Sequence, residues 1–367
     1  MALTKVTTGT IADDSIQSLK NRNLIINGAM QIDQRNAGSS VTVNGPSNYF
    51  AADRFKFGIS TSPTGAGTLQ QVSDGPDGFE KSNKFTVTTA DSSIPATQSY
   101  NLMQEIEGQN VSNLAWGSSA AKTITFSFYV KTSLNGTFGG SIQNSARNRS
   151  YPFTYAISSS EANTWVRREI TVVGDTSGTW LTTNGVGLRV LWGIGNGSSR
   201  TASAGAWAAS DARGATGQVQ VIGTNSATFQ VTGVQLEVGD VATPFEHESY
   251  GETLQKCKRY FESIYVSSYH AAGFCGASSS LAYGANIYFT VEKRASPTVT
   301  LPSAGTATGE ITFVDFNGNF PSSTGTHSVV GSTVNRFEVR GSGYSGLSTT
   351  STSFLYGFVT YKVDAEL

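Results

Sequence analysis

The chain has 367 residues, of which 40 are Gly, 38% are hydrophobic and only 14% are charged, and its net charge is −1. So even a charge balance excludes the clustered Lys and Arg that nucleic-acid binding rests on, and so little charge is not the signature of a disordered chain. Abundant Gly with frequent Ser, Thr and Asn suits short strands joined by tight turns, where positive φ is tolerated, and does not suit a helical protein.

In chain order, residues 1–22 form a polar leader, "LTKVTTGTIADDSI" at its centre, too poor in apolar residues for a core of its own. A segment this polar is ordered only when tied to something, so it reads as a docking or oligomerisation arm. It lacks the apolar core of a signal peptide, and no later run is long enough to span a membrane, so membrane insertion is not expected. From Asn23 onward strand follows strand. "TITFSFYVKT" (123–132) puts Ile124, Phe126, Phe128 and Val130 on one face. "WVRREITVVG" (165–174), "VGLRVLWGIG" (186–195), "TGQVQVIG" (216–223) and "ATFQVTGVQLEVG" (227–239) alternate in the same way. Strands with one apolar face at turn-punctuated spacing predict a two-sheet β-sandwich, because each face must be buried against another.

After "ATPFEHE" the period changes. In "SYGETLQKCKRYFESIY" (249–265) Tyr250, Leu254, Cys257, Phe261 and Ile264 follow a 4-3-4-3 spacing, which predicts a helical seam. Ser249 and Glu252 match a capping box. The seam could pack on a sandwich or line a three-fold axis, with Tyr250, Leu254, Cys257 and Phe261 as the contact residues. Strands then resume at 284–293, 298–302, 309–318, 335–341 and 353–367 and predict a second, smaller β-domain. Cys257 and Cys275 are too few for a disulfide framework or a cysteine-based zinc site, and read as free thiols made in a reducing compartment.

Two phrases carry a resemblance. "NLIINGAMQIDQR" (23–35), followed by "YFAADRFKF" (49–57), resembles the opening of a jelly-roll domain of bacteriophage tail-fibre and other virion proteins. "VTGVQLEVGDVATPFEHESYGETLQKCKRYFE", from Val231, is similar to its close, in which V-Q-L-E-x-G leads through A-T-P-F-E into a helix with C-x-R-Y-[FY]. The resemblance covers about 23–262 well and the rest loosely. It implies an all-β fold: a jelly-roll β-sandwich of the galactose-binding or carbohydrate-module kind (23–248), a linking helix (249–265) and a second, smaller β-sandwich (266–367). The two phrases would lie on its first and last strands, near each other. It also implies a virion protein assembled in the host bacterial cytoplasm. This would be a homotrimer joined to other virion proteins through residues 1–22, attaching to a host-surface glycan or receptor. The alternative is a structural virion component, such as a head fibre, decoration protein or tail adaptor, that binds no receptor.

No enzyme is expected. A Cys257–His270 pair has no oxyanion-holding turn beside it, and Glu105 and Glu107, which could share a strand face as a glycosidase pair, read instead as an exposed acidic edge. "GIGNGSS" lacks the Lys-Thr and the strand-to-helix context of a phosphate loop. No cofactor is expected either; a structural Ca²⁺, as such jelly rolls often hold, would draw on "SDGPDG" (73–78) and Glu237, against ordinary Asp-Gly turns as the plainer and preferred reading. Sugar sites use exposed aromatic faces with polar neighbours. Of the five tryptophans, Trp192 is in phase with core positions and Trp165 opens a strand, whereas Trp180 and Trp207 lie in small, polar loops. Those two are the first carbohydrate candidates, against edge packing as the plainer role. Phe320 and Tyr344, in C-terminal polar loops, are the second. The basic clusters Arg147-Asn148-Arg149 and Arg167-Arg168 are short and read as solvated strand faces.

Overall fold

The computed structural model describes residues 21–60, 63–267, 269–274, 281–305, 309–315, 320–322, 325–346 and 352–367. The attachment arm, apart from its last two residues, and Cys275 lie outside them. The chain divides between Thr253 and Leu254 into two compact units.

The first unit is a sandwich of two six-stranded antiparallel sheets. One runs β1 (Val41–Val43), β4 (Ala66–Val72), β5 (Ser82–Thr89), β14 (Thr228–Val238), β7 (Ile124–Thr132), β10 (Val166–Val172). The other runs β2 (Asn48–Phe50), β3 (Phe55–Ser60), β6 (Ser99–Glu107), β11 (Val186–Asn196), β8 (Gly136–Gln143), β9 (Ser150–Ile157). Consecutive strands cross repeatedly between the sheets, as in a jelly roll. A short helix, α1 (Gly108–Val111), follows β6, and a two-residue parallel pair, β12 (Thr201–Ala202) and β13 (Gly214–Ala215), decorates the long excursion after β11. Alternation builds the core. Phe126 and Phe128 on β7 meet Trp192 on β11 at 5.3 and 5.4 Å between ring centroids, and Phe57 stacks on Phe85 at 4.2 Å. Aromatic pairs in these geometries add to the stabilisation of area burial alone.

The opening phrase does pack against the last strand, but as turns rather than as a strand. Leu24 N donates to Leu236 O (2.8 Å) and Val234 N to Gly28 O (2.9 Å), beside a bulge in β14 between Thr232 and Gln235. Asn27, at φ 61°, turns the phrase back on itself, and its amide donates to Ile32 and Asp53 carbonyls at 2.9 Å. Two further expectations fail here. "TGQVQVIG" is not a strand: it ends in a 3-10 turn, Val221–Gly223, whose apolar residues plug the sandwich. Of Val234, Leu236 and Val238, which alternation puts on one inward face, Val238 is instead 42% exposed, at the end of its strand.

The capping box forms: Glu252 N donates to Ser249 Oγ (3.3 Å) and Ser249 N to Glu252 Oε2 (3.1 Å), opening helix α2 (Tyr250–Lys258). The helix is shorter than the seam predicted. Tyr260 N closes a turn on Cys257 O, and Phe261–Val266 is strand β15, paired along its length with β24 (Val359–Asp364). Pairing with a distant strand rich in β-branched and aromatic residues outweighs the local helical period.

The second unit is built of small sheets: β15 and β24 with β18 (Thr298–Thr300); β16 (Tyr269–Phe274), β23 (Thr352–Gly357), β20 (Glu310–Asp315) and β19 (Ser303–Ala304); and β17 (Leu281–Tyr288), β22 (Arg336–Ser342) and β21 (Thr326–Ser332). Its core includes Ile311, Phe313, Phe337, Val339, Leu355 and Tyr361. Within it Lys293, fully buried, donates to Glu262 Oε2 at 2.6 Å and to the Lys258 carbonyl at 2.5 Å.

Candidate functional site

Loops from three parts of the first unit converge on one tryptophan cluster. Trp116 follows α1, Trp180 lies in the loop between β10 and β11, and Trp207 in the excursion after β12. The three indoles meet edge to face: Trp116–Trp180 at 4.7 Å, Trp116–Trp207 at 5.3 Å and Trp180–Trp207 at 5.5 Å. Tyr151 of β9 joins them, 5.3 Å from Trp207. Trp116 is buried, whereas Trp180 and Trp207 are half-buried against the sandwich core.

Backbone geometry brings the loops this close. Gly117 is at φ +86°, and a Cβ there would sit 2.7 Å from the Gly178 carbonyl; Gly178, at φ +78°, would press one to 2.6 Å from Arg149 Cγ. Only glycine fits at either position. Asp175, buried, accepts both Arg149 Nε and Nη2 at 2.7 Å and also Ser177 N at 3.0 Å. Asn144, buried in the β8–β9 turn, caps it by accepting Asn148 N (3.1 Å) and Arg149 N (3.2 Å), and reaches across to donate to the Thr179 carbonyl at 3.1 Å. Hydrogen bonding to Asp175 raises the Arg149 pKa further, and its guanidinium lies 6.0 Å over the Trp207 ring.

Each indole N–H is engaged at home: Trp116 with Lys122 O (2.7 Å), Trp180 with Ser177 O (3.2 Å) and Trp207 with Val173 O (2.8 Å). What the two half-buried rings can offer a ligand is therefore apolar surface, with Arg149 and the exposed Asn148 as neighbouring polar groups. Such a surface suits the C–H face of a pyranose and does no chemistry on it.

The structure thus unites Trp180 and Trp207, as packed as the plainer role foresaw and still partly open. Trp116, Tyr151 and Asp175 were not singled out, and Arg149, read as part of a solvated strand face, is instead ion-paired with the buried Asp175; the Trp-Gly step at 116–117 and the Trp in "DTSGTW" were the only sequence marks. In the second unit Phe320 is 44% exposed and meets Tyr356 edge-on at 5.1 Å, whereas Tyr344, in the loop after β22, is turned inward: it is 3% exposed, packs on Phe313 and hydrogen-bonds His327. Of the seam residues Tyr250 is 60% exposed and Leu254 half-buried, while Cys257 and Phe261, at 1% and 3%, are buried within the chain and offer no partner a surface.

The carboxylate pair is not an exposed edge. Glu105 and Glu107 are both buried. Burial would raise the Glu105 pKa, but Lys56 and Arg189, the latter 2.6 Å away, outweigh it and hold it below the ordinary carboxylate range. A group so firmly ionised is no proton donor for a glycosidic oxygen. The side chain of His270 is outside the described residues, so its pairing with Cys257 is too. Of the residues suggested for Ca²⁺, Asp74 accepts from Lys131 and Trp165, and Glu237 from Thr243 and Gln235. Among the described residues no group of three His, Cys, Asp or Glu could hold a metal ion, and no helix is long and apolar enough to cross a membrane.

No protein-family model matches the chain, and no curated protein does. Among solved structures it is similar to the enzymatically active domain of tailspike protein 4 of bacteriophage CBA120, with a TM-score of 0.31 and 11% identity over 59% of this chain and 22% of that one. The chain therefore spans about a fifth of that tailspike domain's length. It is also similar to a carbohydrate-binding module, CBM4 (TM-score 0.27, 12% identity, 58% of this chain and 98% of that one). A third likeness is to the family 11 carbohydrate-binding module of a Clostridium thermocellum cellulosomal cellulase (TM-score 0.27, 11% identity, 58% and 100%). Likenesses of this size carry no argument about function, and the sandwich assignment rests on the strand order itself.

Proposed function

We propose that this protein is a bacteriophage virion protein of the tail-fibre type that binds a host-surface glycan through the Trp116–Trp180–Trp207 cluster, as a homotrimer and without catalysis. The observation that carries the glycan part is the cluster: partly open indole rings, their N–H groups already bonded, beside a charged and fixed Arg149. The resemblance of the two boundary phrases supports the virion part, and the hydrogen bonds that join them at β14 fit a domain that both are needed to close. Residues 1–22 would attach the protein to other virion components.

A second reading is a structural virion component that binds no glycan. The mutual packing of the three indoles favours it, because edge-to-face rings also stabilise loops with no ligand present. Light scattering and a glycan array on one sample separate the two. A trimer whose array signal disappears in Trp180→Ala and Trp207→Ala supports the glycan reading; a trimer without signal supports the structural one. A monomer removes the fibre reading for the isolated chain.

A further inference from the structure

The turn between β8 and β9 carries a second basic side chain with a different fate from Arg149. Arg147 sits at φ 55°, a strained conformation for a residue with a Cβ, and its backbone N–H donates to Asn144 O at 3.2 Å. Its side chain is half-buried and makes no ion pair or hydrogen bond with any described residue. The charges that act on it are Arg189 and Arg213, which repel it, and Asp211 and Glu105, which attract it. Both carboxylates are already shared. Glu105 pairs with Lys56 and Arg189, and Asp211 with Arg200 and Arg213. Arg147 is the cation left over. Burial and the two neighbouring guanidinium groups lower its pKa, yet an Arg at neutral pH stays charged. A half-buried charge without a counterion is costly to hold, and an anion arriving from outside would remove that cost.

We infer that this turn receives the carboxylate of an acidic sugar, with Arg147 as the residue that meets it. The inference rests on the glycan-binding reading above and narrows its substrate class. The unpaired Arg147 guanidinium presents a planar fork that a carboxylate can meet with two parallel hydrogen bonds. The sugar part follows from the same turn. Arg149, two residues on, lies over Trp207, and two peptide steps separate their Cα atoms by no more than about 7.6 Å, less than the length of a disaccharide. A glycan that rests on the tryptophans and continues along this turn would bring a carboxylate to Arg147.

The test uses the full chain on an array of bacterial surface polysaccharides printed in pairs, each native and carboxyl-reduced. The wild type is expected to bind uronate-bearing members and to lose about tenfold or more on their reduced partners. Arg147→Gln is expected to lose the same preference while melting no lower than the wild type, since it removes an unpaired, repelled charge. Equal binding to native and reduced members, or an Arg147→Gln protein indistinguishable from the wild type, overturns the inference and leaves the glycan reading intact. A preference confined to phosphorylated or sulfated members overturns the carboxylate assignment. Binding to no member overturns both.

Discussion

Arg149 and Asp175 form a forked ion pair, Nε to Oδ2 and Nη2 to Oδ1 at 2.7 Å each, that ties the β8–β9 turn to the loop carrying Trp180. The carboxylate is buried and the guanidinium only partly open, so the pair is held by geometry as well as by charge. Asp175→Asn keeps the shape and removes the charge. It is expected to cost about 2 kcal/mol and to alter the near-ultraviolet circular dichroism of the tryptophans. An unchanged melting curve with an unchanged spectrum would show that the pair does not hold the cluster.

Asn23 fastens the opening phrase to the last strand. Its Oδ1 accepts Ile25 N (3.0 Å) and Leu236 N (3.1 Å), and its Nδ2 donates to Val234 O (3.1 Å). Asn23→Ala leaves those partners unsatisfied, at an expected cost of about 2 kcal/mol to the first unit. Denaturant unfolding followed by tryptophan fluorescence reads that unit alone, because all five tryptophans lie before residue 208. A midpoint equal to the wild type's would show the fastening to be redundant.

His327 makes the second unit sensitive to mild acid. Burial pushes its pKa down from 6.5 to about 4, so it is neutral in the fold, hydrogen-bonded to the Tyr344 hydroxyl through Nε2. The unfolded chain then binds the proton more readily. Stability is fully present above pH 6.5 and falls as the pH drops toward 4, by up to about 3 kcal/mol. His327→Gln is expected to flatten the dependence between pH 6.5 and 5.5, a range that lies above the titration of ordinary carboxylates. Hydrogen exchange of β21 and β22 amides across that range measures it, and parallel slopes in both proteins would rule the histidine out as the cause.

Lys293 and Glu262 test the second core differently. Burial lowers the Lys293 pKa while Glu262 works against that, and the pair is closed to water. Lys293→Met leaves the buried Glu262 carboxylate with only Lys258, 3.5 Å away, and Thr290 as partners and is expected to cost about 3 kcal/mol, whereas Lys293→Met with Glu262→Leu recovers most of it. Thermal unfolding of the two variants checks this; a double variant no better than the single one would mean that the pair's other bonds, such as Thr290 to Glu262, dominate.

Four strands of the first unit, β7, β10, β11 and β14, were legible from their alternation. Phe126, Phe128 and Trp192 announced their faces by alternation, and each is buried. What alternation cannot show is which partner a segment meets. "FESIY" fitted a helical seam until its pairing with Val359–Asp364, about a hundred residues on, made it a strand. Tyr344 looked like a loop aromatic because its neighbours are Gly and Ser, yet it is Phe313 that it packs on. Of the candidate site, Trp180 and Trp207 could be picked from their polar loops. Arg149 and Asp175 could not, since a buried ion pair between two loops leaves no local mark, and Arg147 looked like an ordinary surface charge.

Strand β14 lies between β5 and β7, so the sheet it belongs to consists of two separate pieces until residue 238 has been made. During synthesis at about 5–20 residues per second, β5 and β7 each wait with an unpaired edge for several seconds or more while the later strands emerge. Those edges are open to wrong pairing throughout, including pairing with the same strands of neighbouring nascent chains on one message. The yield of correctly folded protein should therefore rise when translation beyond β10 is fast or when a chaperone covers the waiting edges.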